Sequence, residues 1–278
     1  MTHLTELAAD SVVEGVYSVA RKRRLRTRAG TSYLALELAD PSGRIEARVW
    51  SDVDLLDTRF AEGDAIRVLG RVERYRNRLQ IDVRSLEAVA DVDPAALAPA
   101  GRRDLDELEG FLEFLTSEIH DNGLRGCVER LVADPAIRRQ LRALPATAEL
   151  HHSYSGGLLE HTVGVATLCR EVCQLHPRVR SDLLLAAALL HDLGRTLELG
   201  PPPSYAATIE GRLLGHVQLG LRLIEEAARS LESEIRSELL HAVAVHHDGR
   251  AARTAEAAVL YHANQLDAVA QTRPVEVE

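Results

Sequence analysis

Imidazoles and carboxylates crowd the second half of this chain. Of its twelve histidines, ten lie at or after His151. Among them stand His161, the adjacent pair His191-Asp192, His216 and the pair His246-His247, followed by Asn264 and Asp267. A single histidine on an apolar helix is most often a satisfied core residue, but burying this many imidazoles without partners is costly. Nitrogen and oxygen donors with no thiolates beside them suit a hard or borderline divalent cation better than a structural zinc. The cluster is therefore read as a site for one or two ions, Mn²⁺ first, with Fe²⁺ and Mg²⁺ as alternatives, and the rest of the chain as what delivers substrate to it.

Helices must position these groups. The run His151-His152-Ser153-Tyr154-Ser155-Gly156-Gly157 precedes a helix that starts near Leu158 and carries His161. A second helix, capped by Ser181, runs through Leu183 to His191-Asp192. Neighbouring helical residues point about 100° apart, so both reach one ion only where the helix is ending; Gly194 is expected to supply that ending. His216 opens another helix, His246-His247 close the next, and Asn264 and Asp267 share one face of the last. Upstream, Leu105, Leu108, Phe111, Leu112, Leu115 and Ile119 make one apolar stripe, and helical hairpins to Leu144 read as scaffold.

From about residue 12 to 90 the pattern changes to alternation. Leu34, Leu36 and Leu38, then Ile45, Ala47 and Val49, fall on every second position, with Asp40-Pro41-Ser42-Gly43 between them as a turn. Two further runs, near Ile66 to Val72 and Leu79 to Val83, are joined by the polar stretch Arg74 to Asn77. Five short strands with a helical insert near Val53 to Phe60 is the order of an OB-fold barrel. The fold class expected is α+β in two domains, a five-stranded OB-fold barrel over residues 1–92 and an all-α domain over 104–278. The Pro- and Ala-rich stretch 93–103 is read as the linker.

If Ile45, Ala47 and Val49 face inward, Arg44, Arg48 and Trp50 face outward, and Tyr33 does so on the neighbouring strand. Aromatic faces beside arginines suit base stacking with phosphate neutralisation. The run Arg21, Lys22, Arg23 and Arg24 adds a local positive patch, although the chain carries a formal net charge of -9. Single-stranded RNA or DNA is the partner expected. Lys22 is the only lysine, a skew more genomic than functional in character. Cys127, Cys169 and Cys173 make a poor disulfide framework and read as buried thiols. The first residues show neither a basic nor an apolar leader region, and Leu183 to Leu190 is too short to span a bilayer, so a cytoplasmic location is expected, with no membrane partner. Oligomerisation is compatible with the sequence.

The order His161, His191-Asp192, His216, His246 and a terminal acidic position resembles the HD superfamily of metal-dependent phosphohydrolases. More narrowly, HHSYSGGLLEHT, LLLAAALLHDLGR and EGRLLGHVQLG look like stretches of the YhaM-type 3′-to-5′ exoribonucleases, which pair an OB-fold with an HD domain. That resemblance implies a metal-dependent exonuclease acting from the 3′ end of single-stranded RNA, and also DNA. It implies that His161, His191, Asp192 and an acidic residue on the last helix hold one cation, with Asp192 bridging to a second held by His216 and His246. Two cations about 3.5–4 Å apart supply a hydroxide at neutral pH and stabilise the leaving oxygen. The barrel would grip the upstream strand, with His152 of the HHSY run also on the nucleic-acid side.

Three positions depart from the family pattern. Arg195 stands where lysine follows the HD motif, and is expected to serve in its place beside the catalytic Asp192. Asn264 aligns with the terminal aspartate and brings no charge to a cation, leaving Asp267 as the nearest carboxylate. The loop from His246 to Thr254 looks shorter. These departures carry two alternatives, a nucleic-acid-binding protein with an impaired HD site and an HD-type nucleotide phosphohydrolase.

Overall fold

The computed structural model describes residues 3–148 and 150–272. They form two compact units. One holds the residues up to Ala100 together with Pro201–Ala206, the other Gly101–Gly200 and the chain from Ala207 onward.

The first unit is a closed barrel of β1 (Val12–Arg26), β2 (Ser32–Asp40), β3 (Gly43–Val49), β4 (Ala65–Tyr75) and β5 (Arg78–Ala88), in the ring order β1-β2-β3-β5-β4. Only β3 and β5 pair in parallel. Alternation makes the core: Leu34, Leu36, Leu38, Ile45, Ala47, Val49, Ile66, Val68, Ile81 and Val83 all point inward and are buried. Asp40 builds the β2–β3 turn, its Oδ1 accepting from the Ser42 and Gly43 amides at 2.8 and 3.1 Å. Its Oδ2 accepts from the Leu4 amide at 2.9 Å, seating an N-terminal turn whose Leu4 and Leu7 join the barrel core. Arg76 and Asn77 both take positive φ, the left-handed pair that closes a two-residue hairpin between β4 and β5. The insert between β3 and β4 is a single turn, α1 (Val53–Leu56), shorter than expected.

Most of the stretch read as linker belongs to the barrel unit. Pro94–Leu97 form a 3₁₀ turn, the Leu97 carbonyl accepts from the Ser18 hydroxyl, and the Ala100 amide donates to Pro41. The backbone of an Ala/Pro-rich stretch finds partners on the barrel that its side chains do not advertise.

The second unit is helical: α2 (Leu105–Ser117), α3 (Asn122–Val132), α4 (Pro135–Ala143), α5 (Gly157–Leu175), α6 (Ser181–Leu190), α7 (Arg195–Glu198), α8 (Ile209–Ala227), α9 (Ser233–Ala244) and α10 (Ala255–Thr272). Helices α2, α3 and α4 each start on an aspartate, Asp104, Asp121 and Asp134, whose carboxylate accepts from amides of the first turn. Helix α6 is apolar all round and buried throughout from Leu183 to Leu190, as the central member of a bundle must be. Ser181 is its first helical residue and not its cap. Arg180 holds the cap position, and its amide donates to the Glu256 carboxylate at 2.9 Å. Cys127 and Cys169 are buried free thiols, and burial pushes the Cys127 thiol up to about 11. Among the described residues no helix is long and apolar enough to cross a membrane.

Candidate metal centre

The apolar helix α6 delivers His191 and Asp192 into the bundle interior, where neither can be solvated. The His191 Nδ1–H donates to the Ala188 carbonyl at 2.8 Å, and His246, just beyond α9, does the same to Val243 at 2.6 Å. A carbonyl only accepts, so in both neutral rings Nε2 is left as a bare lone pair. From α5, His161 turns its Nδ1 to the Asp267 carboxylate at 2.6 Å, and its Nε2 lies 3.2 Å from that of His191. With neutral rings, lone pair faces lone pair. Burial pushes His191 down to about 3, which keeps it neutral. A shared cation relieves such a contact, and the second-sphere acceptors on Nδ1 are what metal-binding imidazoles ordinarily have.

Asp192 stands between two groups of donors. Its Oδ2 is 3.9 Å from His161 Nε2 and 4.0 Å from His191 Nε2, whereas its Oδ1 is 3.3 Å from His216 Nε2 and 3.5 Å from His246 Nε2. His161, His191 and Asp192 form one group and Asp192, His216, His246 and His247 another, the donor atoms of each lying within 4.8 Å of one another. Asp192 Oδ1 and His246 Nε2 are buried and have no hydrogen-bond partner among the described residues. These orphaned acceptors fit a cation and little else. Burial alone would raise the Asp192 carboxyl, but the Arg195 charge and the surrounding imidazoles hold it well below the usual range.

The second group depends on a break in α8. Gly215 has φ 70° and ψ 162°, so the helical segment restarts at His216. Glu198 anchors that restart: its Oε1 accepts from the His216 amide at 3.2 Å, and its Oε2 lies 3.4 Å from His216 Nδ1 and 2.8 Å from Arg195 Nη1. Arg195 Nε in turn lies 3.4 Å from Asp192. Glu198 was not singled out from the sequence; its one signal is a carboxylate three residues after Arg195. His247 was seen only as a neighbour of His246, yet its Nε2 lies 2.9 Å from that of His216.

Several expectations need correction. Gly194 does not end α6 through a left-handed turn; its φ of -63° is ordinary. It is glycine because an added Cβ would sit 1.9 Å from the His216 carbonyl oxygen. Asn264 meets the backbone of a clustered residue. It is buried, and its amide donates to the His246 carbonyl at 3.3 Å, so it steadies a ligand's backbone. Asp267 lies on the far nitrogen of His161 and also 2.8 Å from His152 Nε2, and with these two histidines it makes a third group of donors within 4.8 Å of one another. His152 is therefore buried inside this network rather than offered to nucleic acid. Its Nδ1 is 2.8 Å from the Tyr154 hydroxyl, which donates to Glu160 at 2.9 Å and accepts from Gln271 at 3.2 Å. Burial would raise Asp267, but hydrogen bonds from His152 and His161 hold it well below the usual carboxylate range.

On the barrel, Tyr33 and Trp50 stack with ring centroids 4.7 Å apart, and the Arg48 guanidinium lies 6.0 Å from the Tyr33 ring. Trp50 is 47% exposed, an apolar face that no neighbour covers fully. The basic run is less free than its sequence suggests. The Lys22 ammonium donates to the Asp57 and Phe60 carbonyls at 2.5 and 2.6 Å and tethers the loop after α1, so it is a structural tie. Arg24 pairs with Asp54 and Asp57, Arg44 with Glu37 and Arg48 with Glu46; Arg21 is partly buried, while Arg23 stays exposed.

The imidazole shifts set a pH dependence for the metal-free protein. Burial pushes His151 and His247 down to about 4 and His191 to about 3, against about 6.5 in an unfolded chain. Between those values the unfolded chain binds more protons, so stability falls as pH falls. The lowered carboxyls of Asp192 and Asp267 extend the loss in the same direction below the ordinary carboxylate range. Each pK unit is worth about 1.4 kcal/mol for the fully buried His191 and less for His151 and His247, whose contact with solvent screens them, and each kcal/mol about 2–4 °C in a domain of this size. Thermal scans in chelator are expected to show Tm falling by more than about 5 °C from pH 7 to pH 4; a flat profile contradicts a buried neutral His191 ring.

A barrel whose outer face carries stacked aromatics and arginines, joined in one chain to a helical unit with a shared aspartate between two donor groups, defines an OB-fold and HD-domain protein. Residues 158–269 match the HD domain model and residues 16–89 the OB-fold nucleic acid binding domain model. The 3′-5′ exoribonuclease YhaM of Bacillus velezensis is 32% identical over 262 residues, covering 86% of this chain and 79% of that protein. The protein of the same name from Bacillus subtilis is 30% identical over the same shares. Among solved structures, the second OB-fold domain of replication protein A from Methanococcus maripaludis matches 33% of this chain and 96% of its own, at 22% identity and a TM-score of 0.27. The chain belongs to the family of YhaM 3′-5′ exoribonucleases.

Proposed function

We propose that this protein is a metal-dependent 3′-to-5′ exonuclease that hydrolyses single-stranded RNA, with single-stranded DNA as a second substrate. The observation that carries the reading is Asp192, whose two oxygens face different groups of bare imidazole nitrogens. Bound divalent cations, Mn²⁺ by the character of these donors, would supply a nucleophile at neutral pH and neutralise charge on the scissile phosphate. The chain's own residues do the rest. His161, His191, His216, His246 and His247 hold the donor geometry, while Arg195 and Glu198 brace Asp192 and His216. Asp267 fixes the His161 ring from behind, and Tyr33, Trp50 and Arg48 offer a stacking face with a cation beside it. A cytoplasmic site of action belongs to the same proposal.

The test uses an RNA oligonucleotide labelled at its 5′ end and, in parallel, free mononucleotides, each with and without Mn²⁺, with the released products identified by chromatography. Stepwise shortening that needs Mn²⁺ and releases nucleoside monophosphates is expected. Retention of the strand without shortening would leave a binding protein, and hydrolysis confined to mononucleotides would leave a nucleotide phosphohydrolase.

A further inference from the structure

His151 is the imidazole of this cluster that holds nothing. The rings of His161, His191, His216, His246 and His247 are engaged with one another or with backbone carbonyls, and His152 has both nitrogens occupied. The His151 ring lies 5.0 Å from that of His161, centroid to centroid, and neither of its nitrogens has a hydrogen-bond partner among the described residues. It is half-buried, so solvent reaches it at the edge of the first donor group.

The backbone holds it there. His152 takes φ +46°, a left-handed conformation that a side chain larger than glycine adopts only when its surroundings impose it. Those surroundings are visible: the His152 carbonyl accepts from the Ala146 amide at 3.1 Å, and the His151 carbonyl from the Thr147 hydroxyl at 2.8 Å. An added Cβ on Gly157 would sit 2.0 Å from the His152 carbonyl oxygen, so the start of α5 packs directly on the turn. The turn sends one of two adjacent imidazoles inward to Asp267 and leaves the other at the rim, with their rings inclined at 83°. An anchored donor with no protein acceptor, beside a cluster that would bind a phosphodiester, has an obvious acceptor in the phosphate.

We infer that His151 is a substrate-contacting residue that donates a hydrogen bond to a non-bridging oxygen of the last phosphodiester at the 3′ end, and that it is not a metal ligand. This rests on the function proposed above. An imidazole can donate from either nitrogen, and a donor aimed at a charged oxygen contributes more than one aimed at a neutral acceptor.

The test compares wild type, His151→Ala and His151→Gln in the full chain, reading bound Mn²⁺ by elemental analysis, affinity for a nucleoside 5′-monophosphate by calorimetry, and kcat/KM on an RNA oligonucleotide. The alanine variant should keep the wild-type cation count while monophosphate affinity and kcat/KM each fall about 10- to 100-fold, the range for one hydrogen bond to a charged group. Glutamine, which restores a neutral donor, should recover most of both. A lower Mn²⁺ content in His151→Ala would make this residue a ligand and overturn the inference, as would unchanged monophosphate affinity. Were wild type inactive on RNA, the proposed function would fail alone, because the monophosphate arm still decides the role of His151.

Discussion

Asp192→Asn is expected to abolish Mn²⁺-dependent turnover and to weaken cation binding at both donor groups together. The carboxylate is the one residue common to the two groups, with Oδ2 on the side of His161 and His191 and Oδ1 on the side of His216 and His246. Asparagine keeps the shape but removes the charge and converts one oxygen into a donor aimed at bare imidazole nitrogens. Loss of a single preorganised donor already costs an enzyme about 10²–10³-fold in kcat, and removal of a shared anionic ligand should exceed about 10³-fold. The controls separate sharing from simple damage. His161→Ala touches only the first group and His216→Ala only the second, so each should leave cation binding at the other. Stability behaves differently. The variant strips Arg195 of one partner, but Glu198 still accepts from its Nη1 at 2.8 Å, so the loss in the metal-free protein should fall below the ~3–5 kcal/mol of a fully orphaned buried charge. An Asp192→Asn protein that bound wild-type amounts of Mn²⁺ and kept a tenth of the rate would remove the bridging role.

What the chain discloses before folding depends on whether a feature is periodic. The alternation in β2 and β3 and the unbroken apolar run of α6 are properties of residue type and spacing, and both appear in the structure where they were read. The convergence of His161, His191, Asp192, His216 and His246 could be anticipated because each sits at or near a helix boundary or on an apolar helix face. Direction within a pair of neighbours could not. His151 and His152 are adjacent and chemically identical, and a positive φ at His152 decides which turns inward. Asn264 and Asp267 share a face of α10, yet one meets the His246 backbone and the other the His161 ring, a choice made by α9 and α5 rather than by α10. Lys22 belongs in composition to a basic patch, but the carbonyls that take its ammonium come from a loop more than thirty residues on. Pairings of this kind depend on tertiary packing and leave no local signature.

Gly194→Ala should damage the enzyme without touching any donor atom. The methyl group would lie 1.9 Å from the His216 carbonyl oxygen and 2.5 Å from the Gly220 amide nitrogen, far inside contact distance, and both are backbone atoms that cannot rotate away. Either the turn after Asp192 or the first turns of α8 beyond Gly215 must move. The φ of -63° at residue 194 is one alanine adopts freely, so the effect is steric and not conformational. Overpacking of this kind typically costs about 1–3 kcal/mol, occasionally more, a drop of several degrees in Tm at about 2–4 °C per kcal/mol. The functional loss should be the larger effect. His216 takes its place from this packing and from Glu198, and a misplacement of about 1 Å at a reacting centre can cost on the order of 10²-fold in rate. Cation binding should weaken selectively at the His216, His246 and His247 group while His161 and His191 keep theirs. A serine substitution brings the same Cβ and should behave alike. If Gly194→Ala kept wild-type Tm, cation binding and rate, the contact between the HD turn and α8 would not be what holds His216 in register with Asp192.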